Sequence, residues 1–339
     1  MEGPDADAEP LSMKECAEVA EQCLFGRSKA VSLCMGNIDE EGSKEVAEVI
    51  TKNFLKKRPL GDDENTCFRS LRVPTNAEAL QIVGLPTETS EVPIIYQAVA
   101  HSESEENNAL ELYMQTASST ELGYEGLAIQ ELIGSMAYNS AFNQLRTKEQ
   151  LGYIVSAFSK RSTGGGNAFC VLVQSSNTLP PVLEERALSW VKQFRQEMED
   201  MPEERFALEA AALRVKFLEK DIKLSEEIRS AWGEIVATVP HSEHFKNPVF
   251  DRIEKFADVL DLSSTSFPTT ATDLKRRVLD FYDKYFLSSE RRTVSSRVYN
   301  HNARDVFDQD TGKPGILSSY ADTRKLKQYL SSLPTAPYW

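Results

Sequence analysis

Two apolar runs, "GYIVSAF" (152–158) and "NAFCVLVQ" (167–174), are joined by "SKRSTGGG" (159–166). Both runs are rich in β-branched and aromatic residues, and Gly164, Gly165 and Gly166 supply the backbone freedom of a hairpin loop. The spacing predicts an antiparallel hairpin. Directly before it, Leu122, Ile129, Ile133 and Met136 recur at near-helical spacing over 121–145. Gly126, Ala128, Gly134, Ser135 and Ala137 dilute that pattern, which costs helix propensity and allows a neighbour to approach closely. An apolar helix that runs straight into a buried hairpin needs a sheet to lie on.

The remaining segments supply one. Ser12 and Glu15 stand at capping-box spacing and predict a helix over 12–25, after a disordered acidic lead at 1–10. "KAVSLCMGN" (29–37) reads as a buried strand, and Val46, Ile50 and Phe54 share a helical stripe after it, the opening of an α/β-type layer. "TCFRSLRV" (66–73) and "VPIIYQAVA" (92–100) read as strands, the latter followed by "HSESEENN", a charged hairpin tip or loop. "ALELYMQ" (109–115) alternates as a half-buried strand does.

Leu183, Ala187, Trp190, Phe194 and Met198 mark an amphipathic helix, and two more cover 202–220 and 224–238. After an irregular Pro/His segment, Thr270 and Asp273 cap a helix over 271–286, and "RRTVSSRVYN" (291–300) reads as a closing edge strand. Strands in runs with helices in blocks give the fold class α+β, a mainly antiparallel sheet with helices packed on one face. The expected organisation is a lead with a lead-in helix at 1–26, one domain over 27–302, and a loop-rich tail over 303–339 that packs on it.

Charge restricts the partners. Lys plus Arg number 38 against 52 Asp plus Glu, a formal charge of −14, which argues against nucleic-acid and anionic-membrane surfaces. The five cysteines (Cys16, Cys23, Cys34, Cys67 and Cys170) are odd in number and form no C-x-x-C, the pattern of free thiols in a reducing compartment. The first residues lack the apolar stretch of a signal peptide and no run approaches membrane-spanning length, so a cytoplasmic location is expected.

A search for chemistry finds no self-sufficient catalytic centre. His241 and His244 are spaced i, i+3 in an irregular segment, without the glutamate placement of H-E-x-x-H or H-x-x-E-H, and His101 sits among loop charges. Polar loop residues account for all three, and no metal ligand is assigned. G-x-S-x-G, G-x-G-x-x-G and the P-loop pattern are absent. What remains is Arg146 and Tyr153, a guanidinium and a phenol at a helix–strand junction. Arg146 complements a helix C-terminus, worth about 0.3–1 kcal/mol, and Tyr153 is an ordinary strand aromatic. Alternatively the two supply donors to a substrate carbonyl or a developing oxyanion. Residue chemistry leaves both readings open.

The segment "AFNQLRTKEQLGYIV" (141–155) resembles a hallmark of the insulin-degrading-enzyme branch of the pitrilysin family, zinc metalloendopeptidases with an inverted H-x-x-E-H motif. "NNALELYMQT", "MEDMPEERFALEAAAL" and "KLSEEIRSAWGEI" are similar to family segments in the same order. "CMGNID" resembles the start of the family's last domain and "LKQYLSSLPTAPY" its C-terminal tail, so the likeness covers about residues 12 to 335.

Those relatives are clamshells of homologous α+β domains, with the zinc in the first and substrate contacts from the last. The resemblance implies that this chain corresponds to the last domain with a lead-in helix. It implies that Arg146 and Tyr153 orient the peptide carbonyl and support the tetrahedral intermediate, and that Phe142 lines a side-chain pocket. It also implies zinc in the complete enzyme but none bound by this chain, which carries no H-x-x-E-H. The partners are then peptide substrates and an N-terminal zinc-bearing half, as a separate chain or a missing segment, without which the chain is inactive. The alternative is a non-catalytic peptide-binding or regulatory pseudo-peptidase module; catalysis through His241 and His244 is a third reading.

Overall fold

The computed structural model describes residues 12–23, 32–54, 71–85, 91–237, 248–263 and 269–330. In chain order they form α1 (Met13–Cys23), α2 (Glu40–Phe54), α3 (Asn76–Val83), β1 (Ile94–Val99), β2 (Asn108–Ser118) and α4 (Ser119–Ala141). A π-helical segment (Phe142–Lys148) leads to β3 (Ile154–Ser162), β4 (Gly166–Ser175), α5 (Pro180–Asp200), α6 (Glu203–Leu218), α7 (Leu224–Ala237) and α8 (Pro248–Val259). Then come α9 (Ala271–Tyr282), a second π-helical segment (Asp283–Leu287), β5 (Arg292–Tyr299), a 3₁₀ turn (His301–Ala303), α10 (Arg304–Asp310), β6 (Ile316–Leu317) and α11 (Tyr320–Leu330). Among the described residues no helix is long and apolar enough to cross a membrane.

The chain divides into two units, one of Glu2–Phe68 with Lys220–Ile235 and one of Arg69–Glu219 with Val236–Trp339. The first holds α1, α2 and most of α7, and in α1 the expected capping box forms between Ser12 and Glu15. The second holds the sheet, in the order β3-β4-β2-β5-β1-β6. The pairs β3–β4, β4–β2 and β2–β5 are antiparallel, and β1 joins β5 and β6 in parallel.

One face of this sheet carries Leu110, Leu112 and Met114 of β2, Phe169, Val171 and Val173 of β4, and Val155 and Ala157 of β3, all buried. Against it lie Ile129, Ile133 and Met136 of α4, the Leu183–Met198 stripe of α5, and Leu274 and Val278 of α9. Trp190 stacks on Phe194 at 5.3 Å between centroids, and the Tyr282 hydroxyl donates to the Val191 carbonyl at 2.9 Å. The diluting glycines of α4 have a use: a Cβ on Gly134 would lie 2.5 Å from Ser159 Oγ of β3. The opposite face presents Glu111, Tyr113 and Lys160, with the lysine Nζ 2.8 Å from a Glu111 oxygen. The fold is therefore α+β, with a mainly antiparallel sheet and its helices on one face, and the hairpin falls where its two runs and glycines place it.

Several expected elements differ. Residues 32–37 form no strand, and of 66–73 only 71–73 are described, with an isolated bridge at Leu71. β1 and β2 are not hairpin partners, because β5 inserts between them; β5 is consequently interior rather than an edge. Between the segments read as strands at 66–73 and 92–100 lies α3, with Thr75 and Glu78 forming a complete capping box. α8 fills part of the segment read as irregular, and residues 316–317 of the tail add β6 to the sheet. His241, His244, Cys67 and residues 331–339 lie outside the described residues.

Candidate functional site

α4 does not end at a cap. At Phe142 it widens into a π-helical turn, in which the Glu149 N–H reaches the Gln144 carbonyl at 3.0 Å and the Leu151 N–H the Leu145 carbonyl at 3.0 Å. Such segments are rare and are frequent at functional positions. Leu145, within the turn, and Leu151, three residues beyond it, are both buried and anchor this stretch in the core. Between them Gln150 adopts φ 55°, the one positive-φ non-glycine among the described residues. Gly152 then passes so close to β4 that a Cβ would lie 2.0 Å from the Gln174 carbonyl oxygen.

This path displays what lies between the anchors. The Arg146 Cζ sits 4.6 Å from the Phe142 ring centroid and 4.9 Å from that of Tyr153. Cation–π attraction of this kind contributes about 0.5–1 kcal/mol at an exposed position. Among the described residues Arg146 makes no hydrogen bond and no ion pair. Tyr153 is 79% exposed and Phe142 half-buried. The structure thus brings Arg146, Tyr153 and Phe142 together, and the guanidinium does not lie on the carbonyls that end the helix.

Sequence reasoning missed the support beneath them. The Glu149 carboxylate receives two bonds from Arg186 of α5, Nε to Oε2 at 2.6 Å and Nη2 to Oε1 at 2.9 Å. Gln144 Nε2 donates to the same carboxylate at 2.8 Å. The Arg186 bonds hold the Glu149 carboxyl below the usual range; burial opposes them and the Gln144 bond adds to them. Farther along α5, Trp190 Nε1 donates to Ser140 Oγ at 3.0 Å and Gln193 Nε2 to Gln144 Oε1 at 3.3 Å. The glutamate stands inside the quoted motif; the arginine lies on an ordinary charged helix face, and nothing in the sequence links the two.

Among the described residues no group of three or more His, Cys, Asp or Glu side chains is placed to hold a metal ion. His101 is exposed in its loop, and the His301 ring Nε2 lies 2.9 Å from the Ala100 carbonyl oxygen. The described donor set does not fit a zinc site.

Residues 132–232 match the family "PQQ synthase PqqF-like, C-terminal lobe domain 4". The chain is 28% identical over 275 residues to a nardilysin-like protein of Arabidopsis thaliana, covering 79% of this chain and 23% of that protein. It is 28% identical over 218 residues to human insulin-degrading enzyme, covering 63% of this chain and 19% of the relative. With the peroxisomal insulin-degrading enzyme-like 1 of Arabidopsis thaliana the identity is 32% over 206 residues, 60% of this chain and 19% of the relative. The chain spans about a fifth of the length of the curated relatives it matches. In fold it is similar to pitrilysin, with a TM-score of 0.58 at 19% identity over 88% of this chain and 27% of pitrilysin. Over residues 132–232 the chain thus carries the likeness of a PqqF-like C-terminal lobe domain, and it is similar in sequence to a nardilysin-like protein and to insulin-degrading enzyme.

Proposed function

We propose that the chain is the C-terminal, substrate-binding part of an insulin-degrading-enzyme-like zinc metalloendopeptidase acting on peptides. The observation that carries this reading is Arg146, a cation held against the rings of Phe142 and Tyr153 with its N–H edges uncommitted among the described residues. A guanidinium held beside two rings, with no hydrogen-bond acceptor among the described residues, is ready to donate to a peptide carbonyl. It donates more strongly to the oxyanion that this carbonyl becomes, because the interaction grows with developing charge. The Tyr153 hydroxyl is a second donor, and Phe142 lines the side-chain pocket beside them. Zinc would activate the attacking water in the complete enzyme. The described residues do not fit the ion, so it is assigned to an N-terminal half, in a separate chain or elsewhere in a longer one.

The test is reconstitution. The chain mixed with a zinc-bearing half of the same family is expected to cleave a quenched-fluorescence peptide. Arg146→Ala should lower kcat/KM by about 10²–10³, the usual cost of one oxyanion donor. Tyr153→Phe keeps the ring that touches Arg146 and removes only the hydroxyl; kcat and kcat/KM should fall together, as for an interaction made in the transition state. An active mixture indifferent to both changes would refute the assignment. The missing H-x-x-E-H motif favours a second reading, a peptide-binding pseudo-peptidase module. Micromolar peptide binding by the chain alone, with no cleavage in the mixture, would select it.

A further inference from the structure

Glu149 lies between Arg146 and Tyr153 in the chain, yet its carboxylate is engaged by α5 rather than by the donors on either side of it. An exposed ion pair at this place would be unremarkable, since most are worth little. Three features set this one apart. Its geometry is two-bonded, which fixes orientation as well as distance. The Glu149 side chain is only 16% exposed, and it shares its Oε1 with Gln144 of the π-helical turn. Finally, Arg186 and Gln193 stand seven residues apart on one face of α5 and grip that turn at Glu149 and Gln144.

The segment being gripped needs an external hold. A π-helical turn forms poorer backbone bonds than an α-helix, and a non-glycine residue with positive φ, here Gln150, is strained. Such arrangements persist where the surroundings over-determine them. Released, the turn would tighten toward α-helical geometry and rotate Arg146 relative to the ring of Tyr153.

We propose that Glu149 and Arg186 are positioning residues, a clamp from α5 that holds the Phe142–Lys148 turn in its widened form so that Arg146 and Tyr153 are presented together. The inference rests on the reading of these two as substrate donors, and its effect on activity passes through them.

The deciding measurement is NMR of the chain alone, under conditions where circular dichroism shows the parent helix content. The Arg146 δ-methylene protons lie against two rings and should be shifted upfield from their free value. In Glu149→Gln and Arg186→Ala that shift should shrink by at least half, and the exchange Glu149→Arg with Arg186→Glu should restore most of it. Arg186→Lys, which cannot make the two-bonded pair, should restore none. In the reconstituted peptidase kcat should fall at least tenfold for Glu149→Gln with KM changed less than threefold, and recover in the exchanged pair. An unchanged Arg146 shift in both single variants overturns the clamp, whatever activity does. A parent mixture without peptidase activity defeats the donor reading instead, and the NMR arm still decides whether the clamp exists.

Discussion

Among the described residues Arg146 stands without an anion, and its neighbours explain how. The Phe142 and Tyr153 rings flank the guanidinium carbon, while the carboxylate nearest in sequence, Glu149, is committed to Arg186 and Gln144. If Arg186 bound Glu149 less tightly, Glu149 would be available to neutralise Arg146. This arrangement has a pH signature. The folded Glu149 carboxyl lies below its usual value because Arg186 favours the ionised form. Its contribution is therefore complete above the unfolded value, near pH 4.3, and is lost as pH falls through the lower folded value. The stability difference between the parent and Glu149→Gln, from urea titrations, should be constant from pH 7 to about 5 and shrink below about pH 4. A difference that grows on acidification would contradict the ion pair. At this scale Arg146 and Tyr153 stand out in the sequence as a cation and a phenol at a helix–strand junction, Phe142 enters only through the family resemblance, and the structure brings the three side by side. Arg186 does not stand out, since its partner lies 37 residues away and helix faces are full of arginines.

Among the elements, α5 was the plainest in the sequence and β5 the most misleading. Leu183, Ala187, Trp190, Phe194 and Met198 follow one helical stripe, and all are buried. β5 reads as an edge because it is polar, and it is polar because its core-facing residues Thr293, Ser295 and Arg297 lie in the interior, where Arg297 meets Glu184 of α5. The pair bonds at 2.8 and 3.1 Å with side chains 8% and 11% exposed, and Asp310 stands 3.8 Å from the same guanidinium. Hydrophobic alternation cannot place in the interior a strand whose buried face carries an ion pair. Glu184→Ala should cost about 3–5 kcal/mol, toward the lower figure because Asp310 remains. Glu184→Leu with Arg297→Met should cost less than Glu184→Ala alone, measured by urea unfolding with the m-value checked. A double variant less stable than the single would show that the pair contributes more than the removal of two buried charges. α3 was legible in principle, since Thr75 and Glu78 satisfy the same capping rule that located α1.

On the scale of the molecule, the sheet's face away from the helices also buries a thiol. Cys170 of β4 is fully buried between its register partners Tyr113 and Phe158, and burial pushes its thiol far above the usual range. Cys16 is exposed and Cys34 half-buried. A maleimide pulse read by mass spectrometry should therefore modify Cys16 before Cys34, and Cys170 only as fast as the sheet opens, so that denaturant accelerates Cys170 in parallel with loss of circular dichroism. Fast modification of Cys170 in the native protein would mean that β4 separates locally. The α+β class followed from element order, whereas strand order did not, because it depends on pairings between distant segments.

Those pairings also set the order in which the chain is able to complete itself. Residue 94 of β1 pairs with residue 294 of β5, and the other neighbour, β6, begins at residue 316. During synthesis at about 10 residues per second, β1 emerges roughly 20 seconds before either partner. The hairpin of β3 and β4 and the strand β2 can assemble in that interval, and "IIYQAV" cannot. The newborn chain thus carries an apolar strand with both of its edges unpaired until β5 has been made, and that wait exposes it to misassembly.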